Sequence, residues 1–305
     1  MSLKYESIIK QMSLEEKALM MSGKNTWETV DFEKYGIPSM AMSDGPHGLR
    51  RQAGAGDHLG LNASLPATCF PTAASVANSW DETLGEEIGT ALAEEAVTMD
   101  VNVILGPGLN IKRSPLCGRN FEYFSEDPYL TGVCACEITK GVQNGRPVIV
   151  CPKHFAANEQ ETFRRGNAGK KVDAVDSILT ERSARELYLK PFEMLVREAH
   201  IACIMTSFNK INGVFAGGSK DLCTRILREE WGFDGAVVTD WGDMDIVVDG
   251  ADAVAAGNDI VMPGGPPVIR QILKGYEEGR VTREEMETAA GHLLCMIRRI
   301  HGKEK

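Results

Sequence analysis

GAVVTDWGDM, residues 235–244, runs from apolar strand-forming residues into a threonine, an aspartate and a tryptophan before returning to glycine. Such a run reads as a strand buried on both faces, where an unpaired carboxylate costs several kcal/mol or is driven to neutralise. Asp240 therefore either caps the following helix, as aspartate often does, or carries chemistry. The pattern recurs outward from this stretch. PVIVC (147–151) leads into Pro152-Lys153-His154, IACIMTS (201–207) ends on Thr206-Ser207, and NDIVM (258–262) ends in Pro263-Gly264. With VNVIL (101–105), these strands alternate with longer helical patterns, which implies a parallel sheet with crossover helices. Fully apolar strands require burial on both faces. Polar groups gathered at their C-terminal ends favour a TIM-type (β/α)8 barrel over a doubly wound sheet. The alternative fits worse, because GPGLN (106–110) lacks the G-x-G-x-x-G spacing. A first parallel strand is hard to find; Met40 to Met42 is the best candidate, so the ring is expected to be irregular there.

No repeat, low-complexity tract or linker divides the chain, which reads as one domain over 1–305. Ser13 and Glu16 form a capping box for an opening helix that stops at Gly23. Apolar residues at 84, 88 and 92 mark a second helix from Asp81. Pro191 should divide the helical stretch from Thr180 to Ala199. A final helix is expected from Thr282, boxed by Glu285, to Gly302.

The 305 residues are 43% hydrophobic and carry a net charge of −10, which argues against nucleic-acid or anionic-membrane partners. No apolar run approaches the roughly 20 residues of a membrane span, and the N-terminus lacks a signal-peptide core, so a cytoplasmic location is expected. The eight cysteines are scattered and should be reduced. Cys134 and Cys136 have no accompanying zinc-ligand spacing, and TDWGDMD lacks the EF-hand pattern. Neither a metal nor a cofactor is expected.

Four segments hold more charge than the fold requires: SDGPHGLR (43–50), RSPLCGRNFEYFSEDP (113–128), KHFAANEQETFRR (153–165) and TDWGD (239–243). In this order, with CFPTAASVANSWD (69–81), MTSFNKING (205–213) and LREEWGFDGAVVTDWG (227–242), they resemble the N-terminal barrel domain of glycoside hydrolase family 3, the β-glucosidase family. The resemblance implies that Asp240 is the nucleophile of a retaining mechanism on terminal β-linked glucosyl residues. It also implies that Asp44, Arg119, Lys153, His154 and Arg164 hold sugar hydroxyls, with Met205, Phe208 and Trp241 lining the same subsite. The chemistry is consistent: carboxylates accept from vicinal hydroxyls while lysine, arginine and histidine donate, and nearby cations favour an ionised Asp240.

Each residue has a local reading too. Arg119 could serve as an ion-pair partner for Glu122, Glu126 or Asp127. Lys153 and His154, adjacent on a strand, should point opposite ways. Asp44 could start a turn, and either Arg164 or Arg165 could enter the site. Phe208 stands where many relatives carry tyrosine. A retaining mechanism also needs a second carboxyl about 5 Å from the first, which two-domain relatives draw from a C-terminal α/β domain expected to be absent here. Glu159 and Glu161 are the nearest local substitutes, and a missing domain would leave an apolar patch that favours a homodimer. The competing readings are a non-catalytic sugar-binding or scaffold barrel and a Schiff-base aldolase using Lys153.

Overall fold

The computed structural model describes residues 5–57, 60–242 and 247–301. Asp243 of the TDWGD segment and Gly302 lie outside these. Among the described residues eight short strands form in chain order: β1 (Met42–Ser43), β2 (Val103–Ile104), β3 (Ile149–Val150), β4 (Asp176–Ser177), β5 (Cys203–Met205), β6 (Lys210–Ile211), β7 (Val214–Phe215) and β8 (Ala236–Val238). β1, β2 and β3 pair in that order, all parallel, and β5 pairs parallel with β8. Met40 to Met42 thus falls at the first parallel strand, as expected.

The strands β2, β3, β5 and β8 are apolar throughout because alternate residues enter two different cores. Val103, Ile149, Cys203, Met205, Ala236 and Val238 join one apolar cluster with Met42, Ile260 and Met262. Ile104, Val150, Ile204 and Val237 face the other way, into a cluster built with the helices Glu82–Thr98, Pro128–Gln143 and Lys190–Glu198. The result is an α/β domain in which the parallel strands lie between two apolar clusters, each of which also takes in helices.

Ladder pairing among the described residues does not join eight strands into one ring. NDIVM makes only single-residue bridges, Val238 to Ile260 and Ser22 to Val261. Side chains take up ladder groups here. The Asp259 carboxylate accepts from the Val237 N–H at 2.6 Å, and Thr239 Oγ1 accepts from the Met262 N–H at 3.0 Å. A separate small sheet, ordered β4-β6-β7, was not expected from the sequence; its strands are half exposed and carry no apolar run.

The expected caps are present. Ser13 and Glu16 close a reciprocal box on the helix Leu14–Met20, and Thr282 with Glu285 does the same for Arg283–His301. An additional helix, Glu6–Gln11, precedes the first box. The stretch from Thr180 is divided as Pro191 requires: a turn of helix and a π-helical segment, Ala184–Tyr188, precede Lys190–Glu198, which carries Pro191 in its first turn.

Two glycines let the helices Glu82–Thr98 and Pro128–Gln143 touch backbone to backbone. A Cβ on Gly89 would lie 2.2 Å from the Ile138 carbonyl oxygen, and one on Gly141 equally close to that of Glu86. Neither oxygen belongs to a flexible side chain, so the helices would have to separate. Gly89→Val should therefore lower stability by about 2–3 kcal/mol, read as a lower urea midpoint at unchanged slope.

Candidate active site

The segments that follow β1, β2, β3 and β8 converge, beside Met205 at the end of β5, on one open cleft of about 600 Å³. Asp44, Arg119, Lys153, His154, Arg164, Met205, Asp240 and Trp241 all line it. Four stretches far apart in sequence thus meet because parallel strands deliver their C-terminal ends to the same side.

Asp240 sits two residues beyond β8 and is 9% exposed. Its Oδ1 accepts from the Trp241 N–H at 2.7 Å, while Oδ2 faces Arg164 Nη1 at 3.3 Å and His154 Nε2 at 3.8 Å. Lys153 and His154 both line the cleft, rather than pointing opposite ways, because β3 ends at Val150 and strand alternation no longer governs them. The bond between them is cis. Lys153 Nζ donates to Asp44 Oδ1 at 2.6 Å and lies 3.6 Å from Glu122 Oε2.

A family model described as the glycosyl hydrolase family 3 N terminal domain matches residues 8–296. The chain belongs to glycosyl hydrolase family 3. Among its relatives, thermostable beta-glucosidase B of Acetivibrio thermocellus is 45% identical over 97% of this chain and 38% of its own length. An exo-alpha-(1->6)-L-arabinopyranosidase of Bifidobacterium longum is 42% identical over 95% of the chain and 37% of its length. The crystal structure of a Bifidobacterium adolescentis GH3 beta-glucosidase superposes with a TM-score of 0.84 at 40% identity, covering 96% of this chain and 40% of that one. Beta-glucosidase 3B of Thermotoga neapolitana in complex with glucose gives 0.85 at 35% identity, covering 96% and 42%. The chain therefore spans about two-fifths of the length of these family 3 relatives.

Sequence reasoning on this family 3 chain missed how the cleft's charges are ordered. Arg50 pairs with Asp44 at 3.0 Å, and Asp44 with Lys153, which also faces Glu122. Glu122 is bound by Arg119 Nε, and Arg119 Nη1 lies 3.5 Å from Glu161. Glu161 then pairs with Arg164 at 3.3 Å, and Arg164 with Asp240. Four cations and four carboxylates thus alternate along the wall. Arg119 is an ion-pair partner and a cleft residue at once, so its two readings merge. Arg164, not the exposed Arg165, enters the cleft.

The chain of charges divides the carboxylates. Burial would raise Asp44, but Lys153 and Arg50 bring it down to about 2. Glu122 is likewise lowered, since Lys153 and Arg119 outweigh its burial. Asp240 goes the other way: burial raises it, and the pull of Arg164 and Arg119 offsets this only in part. The neighbouring cations favour an ionised Asp240, as expected, but burial is the larger effect. Its side chain ends the series and touches a single guanidinium.

Lys153 is held above its ordinary value, because Asp44 and Glu122 overcome the effect of burial. A Schiff-base nucleophile must be neutral, so this lysine is poorly suited to that chemistry. Phe208 does not line the cleft; its ring lies under the Arg164 guanidinium at 4.8 Å and supports that side chain from behind. Trp27 lines the cleft and went unrecognised, being a lone aromatic in a polar stretch. It packs on Trp241 at 5.6 Å, and both indole N–H groups are spent inside the protein, on Gln52 and on the Thr26 carbonyl. Neither ring has an indole N–H left to offer a ligand. Glu161 lines the cleft, clamped by two arginines and by Asn158 Nδ2 at 3.1 Å, whereas Glu159 does not line it and binds the Ile111 N–H. Among the described residues, no cluster of histidine, cysteine and carboxylate side chains could hold a metal ion.

Proposed function

We propose that this chain forms the nucleophile and glycone-holding part of a retaining β-glycosidase acting on terminal β-linked glucosyl residues. The observation that carries the reading is the buried Asp240 carboxylate, placed in a cleft with Arg164, His154, Lys153, Asp44 and Arg119 around it. In the first step an Asp240 oxygen bonds to the anomeric carbon as the glycosidic C–O bond breaks and the leaving oxygen takes the electron pair. Water then cleaves the glycosyl ester. Asp44, Glu122 and Glu161 are each bound to cations, so none of them is assigned as the proton donor.

The same reading takes the parallel segments as an irregular barrel. β1, β2 and β3 continue through the Phe155–Thr206 bridge to β5, β8 and Ile260, while Ser22–Val261 and Glu28–Ala41 lead back toward β1. The eight cysteines, none of them in a disulfide, support a reducing compartment such as the cytoplasm. No described helix is long and apolar enough to cross a membrane.

Incubation with an activated 2-deoxy-2-fluoro-β-glucoside tests the reading, because a good leaving group needs no acid. A glycosyl adduct on the peptide containing Asp240 is expected. Sugar binding without an adduct would favour the non-catalytic sugar-binding barrel instead. The pH dependence of labelling adds a sign. Arg164 is the cation nearest Asp240 and lowers its pKa, so Arg164→Met should move the acid limb of the labelling rate to higher pH. An unmoved or lowered limb would remove Arg164 as its counter-ion.

A further inference from the structure

We propose that Asn110 fixes the tautomer of His154, so that this histidine meets a ligand as a hydrogen-bond acceptor rather than a donor. Asn110 is 1% exposed, and the backbone of His154 orients its amide from both sides. Nδ2 donates to the His154 carbonyl oxygen at 3.0 Å, and Oδ1 accepts from the His154 N–H at 2.9 Å. The reversed amide would set donor against donor and acceptor against acceptor, so one orientation alone serves. The same Oδ1 lies 3.3 Å from His154 Nδ1. An amide oxygen only accepts, so the proton belongs on Nδ1.

The Tyr123 hydroxyl, 3.2 Å from Nδ1, can donate or accept and therefore follows the choice rather than setting it. A neutral imidazole protonated at Nδ1 carries its lone pair at Nε2, the nitrogen that faces Asp240 across the cleft. The ring stays neutral, because burial, then Arg119, Lys153 and Arg164, hold His154 well below its usual value. The neighbouring lysine and arginines only donate. His154 thus adds a neutral acceptor to a wall whose other acceptors are charged, and a hydroxyl pointing there must give up its hydrogen bond to Nε2.

The use made of that lone pair rests on the glycone-site reading; the tautomer itself does not. The deciding experiment is nitrogen NMR on the full chain labelled with 15N-histidine near neutral pH, with His154 assigned by its loss in His154→Gln. The native protein should show a pyrrole-type Nδ1 and a pyridine-type Nε2, preserved in Tyr123→Phe and lost or mixed in Asn110→Ala. A pyrrole-type Nε2 in the native protein overturns the proposal. So does a tautomer that switches in Tyr123→Phe, a result readable even if Asn110→Ala fails to fold. Competition by deoxy and deoxyfluoro glucoses then tests the acceptor. At the position where His154→Gln abolishes discrimination, fluorine should serve no better than hydrogen, each weakening binding by about five- to tenfold. Recovery of binding by fluorine would show a donor there and overturn the proposal. The expected tautomer in a protein that binds no sugar would instead overturn the glycone-site reading.

Discussion

Asp240→Asn should abolish turnover of an aryl β-glucoside by on the order of 10⁴-fold or more, while glucose affinity changes by only a few-fold. Asparagine keeps the shape of the side chain but cannot form the glycosyl ester, and the hydroxyl-holding groups around it remain in place. The variant should also be more stable than the parent at neutral pH. Burial raises the folded-state pKa of Asp240, so its ionisation opposes folding once the pH exceeds the value in the unfolded chain. Removing the charge removes that cost. Steady-state kinetics with a paired thermal melt checks both halves, and a loss of activity below tenfold would take the nucleophile role away from this residue.

The largest expected effect on stability follows from Lys153→Met. Lys153 lies between Asp44 and Glu122, and its loss leaves Glu122, 5% exposed, dependent on Arg119 alone. Breaking such a buried pair from one side costs about 3 kcal/mol, because the stranded carboxylate keeps its desolvation penalty. The urea midpoint should fall accordingly. Acid sensitivity should fall with it. Asp44, held at about 2, contributes stability that is present above its ordinary value near 4 and is lost as the pH drops toward 2. Without Lys153 its pKa returns toward the ordinary value, and unfolding curves between about pH 4 and pH 2 should converge. A variant whose acid sensitivity is undiminished would show that Lys153 is not what depresses Asp44.

The strand positions and their C-terminal polar residues were legible because burial on both faces leaves a dense apolar signature, as at Val103–Ile104 and Ala236–Val238. The motifs around Asp44, Arg119, Lys153 and Asp240 were legible for a different reason: charges crowd where a fold alone has no use for them. What stayed hidden depends on partners distant in sequence. Glu161 reads as any surface glutamate until Arg119 and Arg164 close on it. Trp27 acquires its place only through Trp241 and Gln52. Phe208 sits beside cleft residues in sequence yet packs behind Arg164, a matter of side-chain direction. NDIVM carries a strand signature, but beside its few backbone bonds to the β8 segment the Asp259 and Thr239 side chains take up the Val237 and Met262 N–H groups.

The alternation of four positive and four negative groups along the cleft has a bearing on how a ligand arrives. With Asp240 ionised, the wall has no monopole, and its field decays over a few ångströms instead of reaching into solvent. An uncharged saccharide should therefore associate at a rate nearly indifferent to ionic strength, without long-range steering. A glycoside bearing an anionic substituent meets no such neutrality, since the protein as a whole carries −10 and repels it until added salt intervenes.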